Sequence, residues 1–153
     1  MYPHRIRLRG PWEAEPLDPP GETRRVTMPA SLAECGLGDY RRVRFRRRFG
    51  RPRQIDAHER VWLVGEGIVG RGSVKLNGFN IGEIGPGTFE FLVPEELAER
   101  NELTIELTAD SPDDGLRGDV ALEIRCSAYL RAVRSCAGDG GRLRIGGDVA
   151  GES

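Results

Sequence analysis

Alternation of apolar and polar positions with a period of two dominates this chain. Ile6 and Leu8 alternate with Arg5, Arg7 and Arg9, the pattern of a half-buried strand. In the run Tyr40 to Phe49, Val43, Phe45 and Phe49 share one face with Arg41 and Arg47, while Arg42, Arg44, Arg46 and Arg48 share the other. Leu103, Ile105 and Leu107 alternate with Thr104, Glu106 and Thr108, and Val120, Leu122 and Ile124 repeat the pattern. Arg24 to Met28, Val61 to Val64 (with Trp62 inside it) and Phe89 to Val93 are further short strands. Val74-Lys75-Leu76, Asn77-Gly78 and Phe79-Asn80-Ile81 form a predicted hairpin, because Asn-Gly tolerates the two positive φ angles of a type I′ turn.

Between the strands stand turn and breaker signals. Gly10-Pro11 ends the first strand, and the proline- and acid-rich stretch from Glu13 to Glu22 is predicted as a loop. Ser31-Leu32-Ala33-Glu34 has the spacing of a capping box, closed by Gly36, and predicts at most a short helix. Pro94 to Arg100 predicts one helical turn. Tyr129 to Val133 extends the last strand pattern, and Leu143-Arg144-Ile145 adds at most one strand to a glycine-rich end that frays. The expected organisation is one sandwich domain over residues 1–136 followed by a tail over 137–153. Many short strands and almost no helix predict an all-β antiparallel sandwich. Leu8, Phe45, Phe49, Leu63, Leu76, Phe91, Leu103, Ile105, Leu107, Val120 and Leu122 are the expected core. Arg47 falls on that core face and would need a partner there, since burying an unpaired charge is costly.

Length and charge change this picture little. At 153 residues the chain is long enough for one core without disulfides or metal. A net charge of −1 argues against a bulk polyanion as partner. No apolar run approaches the ~20 residues of a membrane helix, and the first residues lack the apolar stretch of a signal peptide. With no export signal, Cys35, Cys126 and Cys136 are expected to be reduced thiols of a cytoplasmic protein.

Several motifs point to chemistry and fail on context. Gly65-Glu66-Gly67-Ile68-Val69-Gly70 has the G-x-G-x-x-G spacing, but a strand and an Asn-Gly turn come next where a dinucleotide site needs a helix. His4 and His58 stand apart, and Cys126 and Cys136 lack C-x-x-C spacing, so no metal or other cofactor is expected. Asp110 to Gly115 is acidic but lacks calcium-loop spacing, and is expected to be a turn built by Asx, proline and glycine. Tyr40 to Arg53 holds eight arginines and no acid. Such a stripe can track phosphates, but acids flank the run. An outer strand face paired with glutamates on neighbouring strands is the expected reading, with no nucleic acid bound.

Taken in order, the motifs resemble a known family. Leu8-Arg9-Gly10-Pro11-Trp12, Val26-Thr27-Met28-Pro29, Phe45-Arg46-Arg47-Arg48-Phe49, Val74-Lys75-Leu76-Asn77-Gly78, Phe89-Glu90-Phe91, Asn101-Glu102-Leu103 and Gly115 to Leu122 follow the motif order of one domain. That domain is the N-terminal sugar-binding domain of glycoside hydrolase family two, the family of β-galactosidases and β-glucuronidases. The resemblance spans about residues 6–125 and implies a jelly-roll sandwich of the galactose-binding-like type. It also implies that the catalytic carboxylates belong to a separate barrel domain, of which this sequence contains no part. The family's sandwich lends polar groups to the active site from a loop that here falls on Asp110 to Gly115.

The expected function is therefore a non-catalytic carbohydrate-binding module. The alternative is a protein-interaction or scaffold module that keeps the fold without the sugar. Trp12, Tyr40, Trp62 and Phe79 are the aromatic candidates for a sugar platform, and Trp62 is expected to fill the core. By the family's topology, the loop after Leu8-Arg9, the segment before Tyr40 and the Asp110–Gly115 turn would meet at one end. That would join Trp12, Tyr40, Asp110 and Asp113 in one site, with aromatic faces for C–H surfaces and carboxylates for hydroxyls.

Overall fold

The structure is a computed structural model, and it describes residues 4–52, 55–94 and 97–126. Two antiparallel sheets pack face to face. The first contains β1 (His4–Arg7), β12 (Val120–Cys126) and β6 (Glu59–Val69) side by side. β9 (Gly87–Leu92) pairs with β6 as well, and the short β11 (Gly115–Leu116) and β4 (Ala30–Ser31) continue the sheet beside the end of β6. The second sheet runs β3 (Arg24–Val26), β2 (Trp12–Asp18), β5 (Arg42–Gly50), β10 (Arg100–Thr108), β7 (Arg71–Leu76) and β8 (Phe79–Ile84). This is the expected antiparallel sandwich. Among the described residues there is no helix, and none long and apolar enough to cross a membrane.

The alternation seen in the sequence sets the register. Phe45 and Val43 lie opposite Ile105 and Leu107 across β5 and β10, and Val74 lies opposite Ile105 on the other side. All five are buried. Leu63 and Leu122 pair across β6 and β12 and face this layer. The expected core residues are buried except Phe91, which is only half-buried. It stacks on Phe89 with centroids 5.2 Å apart, at the edge where β9 meets β8. Gly82 makes room for it, since a Cβ there would lie 2.4 Å from the ring.

Turn chemistry matches the sequence closely. Asn77 (φ 52°) and Gly78 (φ 87°) make the hairpin turn between β7 and β8. Ser31 and Glu34 form the reciprocal capping box: each backbone N–H donates to the other's side-chain oxygen, at 2.9 and 3.1 Å. The box opens a single turn closed by Gly36, not a helix.

Three expectations are corrected. The stretch from Glu13 is strand, not loop, as far as Asp18: Trp12, Ala14 and Pro16 face inward while Glu13 and Glu15 face out. Pro16 fits because the pairing with β5 is irregular between Pro16 and Asp18. No helical turn forms at Pro94, Leu97 or Ala98; Glu95 and Glu96 lie outside the described residues. The backbone at Ala98 is instead held by the Asn101 side chain. Trp62 does not fill the core, since it lies on the outward face of β6, half-buried, with the Arg125 guanidinium 4.9 Å above its ring. The expected strands at Tyr129 to Val133 and Leu143 to Ile145, the tail over 137–153, and Cys136 lie outside the described residues.

Candidate functional site

Antiparallel pairing decides which loops can meet. Arg42 lies opposite both Thr108 and Asp18, so the start of β5 and the ends of β10 and β2 share one end of the sandwich. Trp12 begins β2, and the next residue, Glu13, pairs with Arg46. Six residues of strand at about 3.3 Å each put Trp12 roughly 20 Å from that end. Trp12 is also fully buried, and its indole Nε1 donates to the Leu8 carbonyl at 2.8 Å. It therefore offers no ring face to a ligand, and its place in the expected sugar site is a correction. The physical reason is the inward side of β2, where a large ring completes the core.

Tyr40 and Asp110 do meet. They line an open cleft of about 370 Å³ with Asp39, Arg41, Ser111 and Pro112. Backbone bonds fix its walls: Arg41 N–H donates to the Asp18 carbonyl and Ala109 N–H to the Arg41 carbonyl, both at 2.7 Å. Tyr40 is half-buried, and its hydroxyl lies against Gly21, where a Cβ would come within 2.9 Å of it. Asp39, Arg41 and Asp110 are exposed at the mouth. Arg71 reaches Asp110 at 3.9 Å, a loose and solvated pair. Asp113 sits on the same turn, exposed, and is not among the residues that line the cleft.

The turn itself is organised by Asp114, a residue that sequence reasoning did not single out. Its carboxylate accepts from the Asp110 N–H at 2.9 Å, and its own N–H donates to the Ser111 carbonyl at 3.0 Å. The Leu32 and Ala33 N–H groups donate to the carbonyls of Asp114 and Pro112, tying the turn to the capping-box segment. The Asp114 N–H to Ser111 carbonyl bond closes a β-turn of the kind that Ser, Pro and Asp at these positions favour. The cleft thus presents the Tyr40 ring, a guanidinium and two carboxylates on hydrogen-bonded backbone. Such groups can accept from and donate to hydroxyls.

The arginine stripe behaves as expected. On the outer face of β5, Arg42 and Arg44 reach Glu106 at 3.6 and 2.9 Å, and Arg44 and Arg46 both reach Glu15 at 3.3 Å. Arg48 faces Glu102 at 4.0 Å. The hydrogen bonds that Arg44 donates to Glu106 push its pKa upward. Arg47 departs from the expectation that its place on the core face requires a buried partner. It is half-buried, its Nη1 donates to the Arg48 carbonyl, and its Nε meets no acceptor. Burial pushes its pKa downward.

The glycine motif over 65–70 has structural reasons. Gly65 lies under the Phe89 ring, which a Cβ would meet at 2.2 Å, and Gly70 (φ 124°) turns the chain from β6 into β7. No helix comes after it, so the arrangement that holds a pyrophosphate is missing there. No cluster of metal-ligating side chains occurs among the described residues. Among the described residues Cys35 and Cys126 form no disulfide, and burial pushes the Cys35 thiol pKa upward.

These sheets and connections define an antiparallel jelly-roll β-sandwich. More particularly, the fold is that of a sandwich domain carried by glycoside hydrolases, as the motifs implied. An FMN-binding β-glucuronidase from F. prausnitzii L2-6 matches 80% of this chain at a TM-score of 0.68 and 24% identity. A β-glucuronidase from Bifidobacterium dentium matches 81% at 0.67 and 19%. A rhamnosidase from Novosphingobium sp. PP1Y matches 82% at 0.67 and 14%. The chain spans only 22%, 30% and 15% of the lengths of these proteins. No family model matches the sequence, and no curated protein does.

Proposed function

We propose that this domain is a carbohydrate-binding module without catalysis of its own, and that it takes its sugar in the cleft between Tyr40 and Asp110. The observation that carries the reading is the convergence there of an aromatic ring, Arg41, Asp39 and Asp110 on backbone fixed by short hydrogen bonds. Loops at the end of a rigid sandwich are where binding groups can vary without cost to the core. Sugar hydroxyls pair with carboxylates and guanidinium, and C–H faces pack on the ring. The likeness to glycosidase domains supports the same reading, as an analogy of fold.

A glycan array probed with the purified chain tests this. Asp110→Asn and Asp39→Asn change exposed groups, so loss of binding in these variants reports the cleft and not unfolding. The second reading, a protein-interaction module, draws on Phe79, a large apolar side chain 75% exposed beside the Asn77-Gly78 turn. Glycan binding that Phe79→Ser leaves intact separates the two.

A further inference from the structure

We propose that the cleft at the opposite end of the sandwich, lined by Arg25, Arg46, Arg47 and Arg48, binds a small tetrahedral oxyanion, the phosphate or sulfate group of a ligand. The cleft has a volume of about 230 Å³, and Pro11, Glu13 and Glu102 complete its lining. Its charge is unbalanced: Arg25, Arg46, Arg47 and Arg48 line it against the carboxylates of Glu13 and Glu102, and only Arg46 has a further acid, Glu15 at 3.3 Å. Those carboxylates are held loosely, with Glu13 and Glu102 each 4.0 Å from the nearest nitrogen of Arg46 and Arg48. Arg25 and Arg47 have no carboxylate within ion-pair distance among the described residues. The Nε atoms of Arg46 and Arg47 are buried and meet no hydrogen-bond acceptor.

The fold, not chance, brings these groups together. Arg46 and Arg48 project from the outer face of β5, and Arg47 comes from the inner face beside them. Arg25 lies directly across from Glu13 on the neighbouring pair of strands. Arg47 is the half-buried guanidinium without a counter-charge, which is costly, so an anion that enters here supplies the charge that the folded chain lacks at that residue. Planar forks of N–H donors suit a tetrahedral oxyanion better than ammonium groups do, since each fork can grip two oxygens. Farther along β5 the charges are better matched, because Arg44 holds Glu106 at 2.9 Å in addition to the Glu15 that it shares with Arg46.

The test is calorimetric titration of the full chain with methyl phosphate and with methyl sulfate, each against sodium chloride at matched ionic strength. Saturable binding of either ester, absent with chloride, is expected, and the tighter of the two identifies the source. Arg25→Gln replaces an exposed side chain and should raise the half-saturating concentration about tenfold, the effect of losing one charge-assisted pair. Glu13→Gln removes a competing carboxylate and should tighten binding, a gain that misfolding cannot produce. A response to the esters no different from chloride overturns the proposal. So does saturable binding that Arg25→Gln leaves unchanged.

Discussion

The indole nitrogen of Trp12 donates a 2.8 Å hydrogen bond to the carbonyl oxygen of Leu8, across the Gly10-Pro11 corner that joins β1 to β2. That bond satisfies the one polar atom of a fully buried ring and ties the two sheets together at one corner. Trp12→Ala should cost about 3–5 kcal/mol of stability in a denaturant titration, as for other large core deletions. Trp12→Phe keeps most of the packing and leaves the Leu8 carbonyl unpaired, a loss of about 1–3 kcal/mol. A Trp12→Ala protein as stable as the parent would show that the ring is not part of the core.

Glu123 on β12 is buried, and Arg5 and Arg125 reach it at 2.6 and 2.7 Å. Burial alone would raise its pKa, but the hydrogen bonds and charges of the two arginines together outweigh it and hold the carboxyl below its usual range. A carboxyl depressed in the folded state contributes stability that is present above its unfolded pKa, near 4.3. That contribution is lost as pH falls through the folded value. Glu123→Gln should therefore lower stability at pH 7, by on the order of 2 kcal/mol, and flatten the fall in stability below pH 5. Parallel curves for the two proteins between pH 7 and pH 3 would contradict this.

Asn101 is a second buried polar anchor. Its Oδ1 accepts from Asn77 Nδ2 and from the Ala98 N–H, both at 3.0 Å, and its Nδ2 donates to the Ala98 carbonyl at 2.9 Å. Asn77 Oδ1 in turn accepts from the Glu102 N–H at 2.8 Å, so the β7–β8 turn is locked to β10. Asn101→Ala should cost about 2–4 kcal/mol, because several groups lose their partners at once. Asn101→Asp should not restore stability, since an ionised carboxylate cannot donate to the Ala98 carbonyl. Thermal unfolding of the two variants checks both statements.

The sequence spoke most clearly where one strand face is buried and the other wet. β5 and β10 alternate cleanly, so their inward faces could be read directly, as could the expectation that glutamates on neighbouring strands meet the arginines. The Asn77-Gly78 turn and the Ser31–Glu34 box carry their own local chemistry and needed no tertiary context. β2 was hidden because Pro16 and three acids disguise an alternation whose inward positions are Trp, Ala and Pro. Trp62 misled for the reverse reason. In Val61 to Val64 even an outward position, Val64, is buried, so four apolar residues in a row do not show which faces the core. Tyr40 and Asp110 could be chosen by residue type and turn. That Trp12 belongs to the other end depends on the pairing of β2 with β5, a long-range register that no local pattern states.

The central claim is that the Tyr40–Asp110 cleft binds a sugar. Its most direct test is titration of the strongest glycan from an array into the parent chain and into Asp110→Asn, with the melting temperature of each followed in parallel. The expected result is saturable binding to the parent and at least tenfold weaker binding to the variant, the effect of one lost charge-assisted hydrogen bond. The melting temperatures should agree within a few degrees, because an exposed substitution changes stability by only about 0.5 kcal/mol. An array on which the parent binds nothing, or binding that survives Asp110→Asn unchanged, would contradict the claim.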